Sequence, residues 1–505
     1  MYHCIMIKTR FAPSPTGYLH IGGLRTALYC YLFAKRNKGK FILRIEDTDQ
    51  ERFVEGAMEN LINTLNWMGM TYDEGPVIQN GKIEEIGENG PYIQSKRFEI
   101  YKKYSEELIE KGHAYYCFCT KDRLDDLRKT QEERKQATMY DRKCTSVSLE
   151  EARTRIKNGE KFVIRQKIPY ETIKFKDLIR GTVQFDGKVI DDQVLVKSDG
   201  FPTYHLANVI DDHMMGITHV IRGEEWLPST PKHIFLYKAF GWEQPEFAHI
   251  PLLLNADKTK LSKRQGDVSV NEYIDKGYLR EAIVNFGAFL GWHPGSGEEN
   301  EIFTLKQLEE LFSLERVHKA GAVFDIEKLN WFNWQWQKKI FDEKIEKAPE
   351  KRGELLLEIC EKHIDSSYKA TKDLLLKALI ANEEKVLKDP KTINEHIKCF
   401  FVIDDYDKKL LTHDKMQVDE ARAKSSLEIA KKILSEISDQ KWSIETIKEK
   451  LIEAASQSNI KNGQLLWPIR AAITGQQFSA GAFESLWTLG KKESLERIEK
   501  ALKKL

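Results

Sequence analysis

The N-terminal part of the chain alternates strand-like runs with apolar residues at helical spacing. The run IMIKTRFA is typical of a strand, the breaker PSPTG follows it, and GLRTALYCYLFAKR has the helical spacing. A second strand over KFILRIEDTD at 40–49 and a helix over roughly 54–68 continue the pattern. This β-α-β order predicts a parallel sheet with a right-handed crossover.

The segment from about 96 to 199 has a different pattern. Two charged helical stretches come first, and short alternating runs such as KFVIRQKI and DQVLVK follow. We interpret the segment as an α+β insertion, because GITHVIRGEEW and STPKHIFLYKAFGW then restore the β-α alternation. We therefore expect segments on either side of the insertion to complete the sheet.

The strand signals fade from about residue 325 onward. Runs such as KDLLLKALIAN, ARAKSSLEIAKKILSEI and WSIETIKEKLIEAA place apolar residues at helical spacing. The predicted fold class is an α/β parallel-sheet core with an α+β insertion, followed by an all-helical C-terminal region.

Composition narrows the class of protein without indicating a partner. The chain has 505 residues, which suggests about three structural units. With 41% hydrophobic and 31% charged residues, it is too apolar for a disordered chain. The 79 basic and 78 acidic residues give a net charge of +1, which by itself does not indicate a polyanionic partner. Local runs such as KRNKGK at 35–40 still concentrate positive charge.

The sequence shows none of the patterns that are typical of membrane or secreted proteins. No apolar run approaches the ~18 residues of a membrane helix. The opening MYHCIMIKTR has no charged head, apolar block and cleavage site, so it does not resemble a secretion signal. Seven scattered cysteines do not form a disulfide framework. We therefore expect a protein of the reducing cytoplasm.

The segment RFAPSPTGYLHIGGLRTAL at 10–28 contains the first candidate binding loop. A Pro-containing loop turns into a helix through His20, Gly22 and Gly23. Glycines let a nucleotide approach the backbone, and a helix N-terminus offers unpaired N–H groups and a positive dipole end. His20 is placed to donate to a phosphate. Taken alone, the pattern favours a capping histidine and a turn over a nucleotide site.

The segment KTKLSKR at 258–264 contains the second candidate loop. Lys260 and Lys263, with Ser262 between them, suit the β- and γ-phosphates of ATP. Nucleotidyl transfer is catalysed mostly by positioning and charge stabilisation, so cations on the departing pyrophosphate fit such a reaction. Taken alone, this loop is typical of a solvated charge run.

Together the two loops indicate a family. The TGYLHIGG and KLSKR loops closely resemble the two signature sequences of class I aminoacyl-tRNA synthetases. The downstream runs LRIEDTD and YHLANVIDDHMMGITHVIRGEEWLPSTPKH narrow the resemblance to the bacterial glutamyl-tRNA synthetases. The similar motifs extend over about residues 8–335, and beyond them the similarity is one of helical composition and length.

The resemblance implies a domain organisation with a Rossmann-type core. Two regions are expected, a catalytic region over 1–325 and an all-helical anticodon-binding region over 326–505. Within the catalytic region, we expect the Rossmann core at about 1–95 and 200–255, an insertion at about 96–199 that holds the acceptor end of tRNA, and a stem-contact region at about 256–325.

The resemblance also implies an amino-acid pocket. Glutamate presents a γ-carboxylate that must be told from the amide of glutamine, and arginine suits a bidentate grip on a carboxylate. By resemblance, Arg10 and Arg222 have that role, with the Tyr204 hydroxyl as a third donor. The α-ammonium group is expected to be held by Glu46, assisted by Ser14, Asn208 and the backbone near Ala12. Without the resemblance, Glu46 and Arg222 would be interpreted as ion-pair residues at strand ends.

The reaction that the resemblance implies has two steps and no covalent enzyme intermediate. The glutamate α-carboxylate attacks the α-phosphate of ATP to give glutamyl-adenylate and pyrophosphate, and the 2′-hydroxyl of the terminal adenosine of tRNA(Glu) then accepts glutamate. His20 would stabilise the reacting phosphate, and Lys260 and Lys263 the leaving pyrophosphate. Mg²⁺ is expected to arrive with ATP. We expect tRNA to bind before activation, and the protein to be a monomer.

A cysteine cluster in the insertion leaves two interpretations open. Cys117 and Cys119 form a Cys-x-Cys pair, and Cys144 follows after twenty-four residues. A structural zinc ion needs four tetrahedral ligands. Zinc-bearing relatives place a His two positions after the last Cys, where this chain has Ser146, and Tyr140 is a substitute of a less common kind. The other interpretation is three buried thiols without a metal.

Other classes of protein fit the sequence less well. Relatives that charge glutamine end in β-barrels and do not need the paired arginines. The shortened relatives that glutamylate a modified queuosine base lack the anticodon half, which 505 residues oppose. A non-catalytic RNA-binding paralogue would not need His20, Lys260 or Lys263. A small nucleotidylyltransferase shares the first loop but not the length.

Overall fold

The structure is a computed structural model that describes residues 6–261, 269–295 and 297–505. The chain forms two compact units, Met1–Asn333 and Trp334–Leu505. Helices and sheets make up the first unit, whereas the second, described throughout, has helices and no strand. These observations confirm the predicted α/β core and the predicted helical C-terminal region.

The strands of the first unit are short and form four sheets within the described residues. In chain order they are β1 (Lys8–Phe11), β2 (Lys40–Leu43), β3 (Gly75–Gln79), β4 (Lys82–Ile86), β5 (Ala114–Cys117), β6 (Val163–Gln166), β7 (Thr172–Asp177), β8 (Gly181–Asp186), β9 (Val194–Val196), β10 (His219–Gly223), β11 (Glu246–Ile250), β12 (Leu253–Leu254) and β13 (Ala322–Val323).

Helices connect these strands and cover the sheets. In chain order they are α1 (Ile21–Arg36), α2 (Ala57–Trp67), α3 (Phe98–Glu110), α4 (Lys121–Glu133), α5 (Leu149–Lys157), α6 (Tyr204–Met214), α7 (Thr230–Phe240), α8 (Val270–Asp275), α9 (Arg280–Phe289), α10 (Leu305–Leu311) and α11 (Ile326–Lys347).

The central sheet has six strands in the order β2-β1-β10-β11-β7-β8. Neighbouring strands from β2 to β7 are parallel, and β8 returns antiparallel to β7. β2 and β10 flank β1 on opposite sides, so the direction of winding reverses at β1. Ligands of open α/β sheets bind beyond the carboxyl ends of the strands at such a reversal. The topology therefore points to the region beyond Phe11 and Gly223.

The segment after β2 follows the loop that leaves β1. β2 ends at Leu43, earlier than the strand predicted over 40–49. Beyond it, the N–H groups of Arg44 and Glu46 donate to the carbonyls of Phe11 and Pro13, each at 3.0 Å. These bonds bring Glu46 beside the end of β1.

The hairpin of β7 and β8 corrects the expected composition of the sheet. The sequence pattern placed the sheet on either side of the insertion, yet this hairpin lies inside the insertion and joins the sheet through the pair Asp177 and Phe247. The physical reason is that β11 would otherwise expose an edge of unpaired backbone groups. The insertion also forms a separate antiparallel sheet in the order β5-β6-β9.

An apolar cluster fixes α6 and α7 on the central sheet. Leu206 of α6 and Leu236 of α7 are fully buried in it with Ile42, Val220 and Phe247 from three strands. Burying an aliphatic or aromatic side chain of this size contributes roughly 1.5–3 kcal/mol. The cluster therefore holds in place the helices that begin at Tyr204 and Thr230, beside the end of β10.

The second unit is built from amphipathic helices around two apolar clusters. After the end of α11 its helices are α12 (Arg352–Cys360), α13 (Lys372–Ala381), α14 (Glu383–Lys388), α15 (Ile393–Phe401), α16 (Glu420–Glu436), α17 (Ile444–Gln457), α18 (Asn462–Thr474) and α19 (Ala482–Leu502). Across the described residues of both units, the structure has no helix with the length and apolar character that a membrane crossing requires.

Candidate active site

A cavity of about 1030 Å³ opens at the carboxyl ends of β1 and β10. Its wall includes Phe11 from β1, Ile221 and Gly223 from β10, and Trp226 from the segment after β10. Most of the residues singled out in the sequence also line it. They are Arg10, Ala12, Ser14, Gly22, Gly23, Glu46, Tyr204 and Arg222.

His20 is the N-cap of α1 at one side of this cavity. Its Nδ1 atom accepts a hydrogen bond from the backbone N–H of Gly22 at 2.9 Å. An accepting Nδ1 leaves the proton of the neutral ring on Nε2, which is then a donor. The capping role and the phosphate-binding role considered for His20 therefore use different ring nitrogens and are compatible with each other.

Gly22 and Gly23 form the part of the cavity wall where α1 begins. A Cβ atom on Gly22 would lie 3.3 Å from Nδ1 of His20, and one on Gly23 would lie 3.0 Å from Cδ1 of Leu19. The missing side chains keep the cap undisturbed and leave this part of the wall to the backbone. Such a helix N-terminus suits an anion such as phosphate.

Arg10 is anchored in a buried ion cluster. Its Nε atom donates to Oδ1 of Asp212 at 3.0 Å, and Arg44 donates to the same oxygen at 2.7 Å. Arg44 also donates to Oε1 of Glu46 at 3.0 Å. Although burial opposes it, Arg10 and Arg44 hold the pKa of Asp212 below its usual range, whereas burial raises the pKa of Glu46. Because Asp212 binds Nε, this anchor does not use the terminal amino groups of Arg10.

The neighbouring Asp211 extends the cluster toward α3. Its two oxygens accept hydrogen bonds from Arg97 at 2.7 Å, Gln94 at 2.8 Å and Tyr101 at 2.9 Å. Buried carboxylates require such partners because removal from water is costly. Sequence reasoning missed this cluster. Its signal was the acidic pair Asp211 and Asp212 inside the mostly apolar run LANVIDDHM.

Arg222 lies at the end of β10 and contacts neutral acceptors. Its Nε atom donates to Nε2 of His249 at 3.1 Å, and Nη2 donates to Oγ1 of Thr230 at 2.9 Å. The Nη1 atom donates to the Tyr204 hydroxyl at 3.0 Å and to Nδ1 of His233 at 3.2 Å.

The surroundings of Arg222 show whether it belongs to an ion pair within the protein. Within the described part of the chain, no carboxylate oxygen lies within 4.0 Å of the Arg222 guanidinium nitrogens. The ion-pair interpretation therefore applies to Glu46, which pairs with Arg44, and not to Arg222. The three neutral partners His249, His233 and Thr230 were not found in the sequence, although a histidine inside the buried strand run EFAHI was a usable signal.

Asn208 lies one helical turn after Tyr204 on α6 and is buried. Its Nδ2 atom has no hydrogen-bond partner among the described residues. A buried donor without an acceptor is costly, so this position suits a ligand oxygen. The α-ammonium role that the resemblance gave Asn208 would require the amide oxygen instead of Nδ2.

The second basic loop is described only in part. Lys260 is exposed and forms an isolated β-bridge with Leu254, after a turn in which Lys258 has a φ of +66°. Ser262 and Lys263 lie outside the described residues. Among the described candidate residues at the ATP and amino-acid site, His20, Asn208 and Lys260 are those that do not line the cavity.

The cysteine cluster of the insertion has the dimensions of a metal site. The Sγ atoms of Cys117, Cys119 and Cys144 all lie within 4.8 Å of one another. The Tyr140 hydroxyl lies 3.4 Å from Sγ of Cys117 and 3.3 Å from Sγ of Cys119. Ligands of tetrahedral zinc with bonds of about 2.3 Å are separated by about 3.8 Å. Three sulfurs and a phenolic oxygen therefore fit a zinc ion, and the exposed Ser146 instead donates to the Lys143 carbonyl.

Two arginines face the sulfur atoms of this cluster. Arg165 Nε donates to Cys117 at 3.4 Å, and Arg123 Nη1 donates to Cys119 at 3.3 Å. Although burial opposes it, hydrogen bonds from Tyr140, the Cys119 backbone and Arg165 lower the pKa of the Cys117 thiol. An arginine donor to sulfur favours the thiolate form that a metal requires, as at Cys117, whereas burial raises the pKa of the Cys119 thiol to about 11. Neither arginine was singled out in the sequence.

Two family comparisons cover most of the chain. Residues 6–331 match the family described as "tRNA synthetases class I (E and Q), catalytic domain". Residues 354–502 match the family described as "Anticodon binding domain". The first match contains the cavity and the second lies within the helical unit.

Full-length relatives agree with these matches. A glutamate–tRNA ligase of Chloroherpeton thalassium is 44% identical, covering 99% of this chain and 98% of that protein. A glutamate–tRNA ligase of Chlorobium phaeobacteroides is 46% identical, covering 98% of this chain and 97% of that protein. The crystal structure of a glutamate tRNA ligase from Elizabethkingia meningosepticum in complex with its amino acid has a TM-score of 0.80 and 37% identity, covering 99% of each chain. The chain therefore belongs to the class I tRNA synthetases of the glutamate and glutamine type.

Proposed function

We propose that the chain is a glutamate–tRNA ligase. It activates L-glutamate with ATP to glutamyl-adenylate and pyrophosphate, and transfers glutamate to the 3′-terminal adenosine of tRNA(Glu). The observation that carries the proposal is the single cavity that joins the N-terminus of α1 to Arg10 and Arg222. One end of the cavity has the features of a phosphate site, and the other has those of a carboxylate site.

The phosphate end has His20, Gly22 and Gly23 as its ATP-binding residues. The Nε2–H of His20 stabilises the reacting α-phosphate, because donors aimed at developing charge lower a transition state. Lys260, Ser262 and Lys263 bind the β- and γ-phosphates, and the two lysines stabilise the departing pyrophosphate. Mg²⁺ enters as the ATP complex and neutralises the phosphates.

The amino-acid end has Arg10, Arg222 and Tyr204 as donors to the γ-carboxylate. Glu46 binds the α-ammonium group beside Ala12 and Ser14, and the amide oxygen of Asn208 accepts a hydrogen bond from the same group. All of these residues except Asn208 line one cavity, and that proximity supports this arrangement. Holding the α-carboxylate against the α-phosphate converts a bimolecular attack into a reaction between positioned groups.

The insertion holds the acceptor end of tRNA, and the helical unit binds the anticodon. A structural zinc ion at Cys117, Cys119, Tyr140 and Cys144 keeps β5 and the segment after α4 together. The sulfur separations and the Tyr140 contacts support that ion. The enzyme acts as a monomer in the cytoplasm.

The test is ATP–pyrophosphate exchange by the purified protein in the presence of tRNA(Glu). We expect exchange with glutamate and little with glutamine, and charging of tRNA(Glu) under the same conditions. Exchange with glutamine but not glutamate would overturn the substrate assignment. No exchange with either amino acid, under conditions in which the protein binds tRNA, would favour a non-catalytic RNA-binding protein.

A further inference from the structure

Arg222 and its histidine partners determine one another's protonation. The Nε atom of an arginine always carries a hydrogen, so the Nε2 atom of His249 that faces it at 3.1 Å must be an acceptor. The proton of the His249 ring is therefore on Nδ1, which donates to Oδ2 of Asp177 at 2.6 Å. Nδ1 of His233, at 3.2 Å from Arg222, is an acceptor for the same reason.

Both histidines are neutral in this arrangement. Burial lowers the pKa of His249, although the hydrogen bond to Asp177 opposes the shift, and burial together with the charge of Arg222 lowers the pKa of His233 well below its usual value. A proton on either acceptor nitrogen would face the guanidinium group. Four of the five N–H groups of Arg222 thus meet neutral acceptors, the other two being the Tyr204 and Thr230 hydroxyls.

The orientation of Asp177 is determined by the backbone around it. Its Oδ1 atom accepts hydrogen bonds from the N–H groups of Ile179 at 3.0 Å and Arg180 at 2.8 Å. Its Oδ2 atom is thereby directed at His249, and both side chains are inaccessible to solvent. Asp177 is the last residue of β7, so the hairpin that joins the sheet from the insertion supplies this carboxylate.

The two arginines of the cavity differ in how their charge is balanced. Arg10 contacts the carboxylate of Asp212 directly at 3.0 Å. Arg222 reaches the carboxylate of Asp177 only through the neutral ring of His249. An amide oxygen and a carboxylate oxygen both accept hydrogen bonds, so donors alone separate glutamine from glutamate poorly. An uncompensated positive charge attracts the carboxylate much more strongly than the neutral amide.

We propose that Asp177 and His249 are positioning residues for Arg222. His249, oriented by Asp177, holds the guanidinium group as a neutral acceptor, so no carboxylate balances the positive charge that faces the cavity. This charge of Arg222 then selects glutamate over glutamine. This inference rests on the proposed function, because it takes the γ-carboxylate as the group that Arg222 binds.

The first test compares two substitutions beside Arg222 that have the same shape and differ in charge. Thr230→Asp places a carboxylate next to Nη2 of Arg222, and Thr230→Asn is the neutral control of the same shape. We expect T230D to lower the ratio of kcat/KM for glutamate to that for glutamine at least about tenfold, with T230N within about threefold of wild type. The KM for ATP should be unchanged in both variants. Equal ratios for T230D and T230N would overturn the charge argument.

The second test separates the two hydrogen bonds of His249. In His249→Gln the amide oxygen can still accept from Arg222, whereas His249→Asn retains only the contact with Asp177. We expect H249N to raise the KM for glutamate about tenfold or more, and H249Q to remain within about threefold. A purely structural role predicts similar losses for both. Equal glutamate KM values in the two variants, or an ATP KM that rises in parallel, would overturn the positioning role.

The third test reverses the histidine tautomer. In Asp177→Asn, the side-chain oxygen of the asparagine must accept the hydrogen bonds from the N–H groups of Ile179 and Arg180. Its NH₂ group then faces Nδ1 of His249 and donates to it, so the proton of the histidine ring moves to Nε2. We expect the glutamate KM of D177N to rise about tenfold or more, because an N–H then opposes the Nε–H of Arg222.

A spectroscopic measurement keeps the inference independent of the substrate. ¹⁵N NMR of the full wild-type chain, with H249Q identifying the signal, should show a neutral His249 protonated on Nδ1 at pH 7. An Nε2-protonated or charged ring overturns the inference even if D177N fails to fold. An unchanged glutamate KM in Arg222→Gln would likewise overturn the inference, whereas the proposed function fails separately, if the wild-type protein catalyses exchange with glutamine but not with glutamate.

Discussion

The backbone N–H of Gly22 donates to Nδ1 of His20, so one imidazole caps a helix with one nitrogen and presents a donor with the other. A nucleotide loop usually needs both a stable helix start and a phosphate donor. In the proposed function, both needs fall on the side chain of His20. Because they use different atoms, substitution can separate them.

His20→Asn is expected to separate stability from catalysis. Asparagine is a good N-cap and keeps an acceptor for Gly22, but it has no donor at the position of Nε2. We expect an unchanged thermal midpoint and a loss of about 100-fold or more in the rate of glutamyl-adenylate formation. His20→Ala should additionally lose about 0.5–2 kcal/mol of stability with the cap. Wild-type adenylation by H20N would remove His20 from the reaction.

The lysines of the second loop are expected to act on the rate and not on tRNA affinity. Lys260→Ala and Lys263→Ala should each slow adenylate formation about 100-fold, since each removes a cation from the departing pyrophosphate. Lys258→Asn is the matched control, because it removes one charge from the same loop and asparagine tolerates its positive φ. That control should change the rate less than about threefold. Filter binding of tRNA should be similar for all three variants.

Asp212→Asn is expected to show a pH-dependent loss of stability. The pKa of Asp212 is lowered in the folded state, so its contribution is present above the unfolded value of about 3.9 and is lost as the pH falls through the lower folded value. Leaving Arg10 and Arg44 without this carboxylate should cost about 3–5 kcal/mol at pH 7.

Urea unfolding at pH 7 and below pH 4 checks this expectation. The difference between wild type and D212N should narrow at the lower pH. Asp405→Asn is the control, because Asp405 is 93% exposed and pairs with Lys504 at the surface. Exposed pairs contribute roughly 0–1 kcal/mol, so this variant should change little. A difference that stays constant over the same pH range would contradict the role of the buried carboxylate.

The cysteine cluster is expected to hold about one zinc ion per chain when the protein is purified without chelators. Cys144→Ser should lose the metal, and Tyr140→Phe should lose it faster to a chelator because three sulfurs remain. Cys360→Ser, at a buried thiol of the helical unit, should keep the full content. Elemental analysis measures all four proteins. Equal metal content in wild type and C144S would exclude this cluster as the zinc site.

Most of the binding-site residues that the sequence by itself identified line the cavity. A glycine-containing turn into a helix is a local signal that singled out His20, Gly22 and Gly23, and the resemblance to the synthetases added their expected role in ATP binding. The helical unit was predicted because amphipathic spacing is also local. Residues recognised by resemblance, such as Arg10 and Arg222, line the cavity that the fold creates.

Only the tertiary structure decided the electrostatics of that cavity. Asp177, His249 and Arg222 come from three strands, and strand register is set by packing between distant segments. The same holds for Asp212, which meets Arg10 across some two hundred residues. Packing determines which side chains come within about 4 Å of an arginine, and thus whether a carboxylate balances its charge. No local pattern in the sequence encodes that distance.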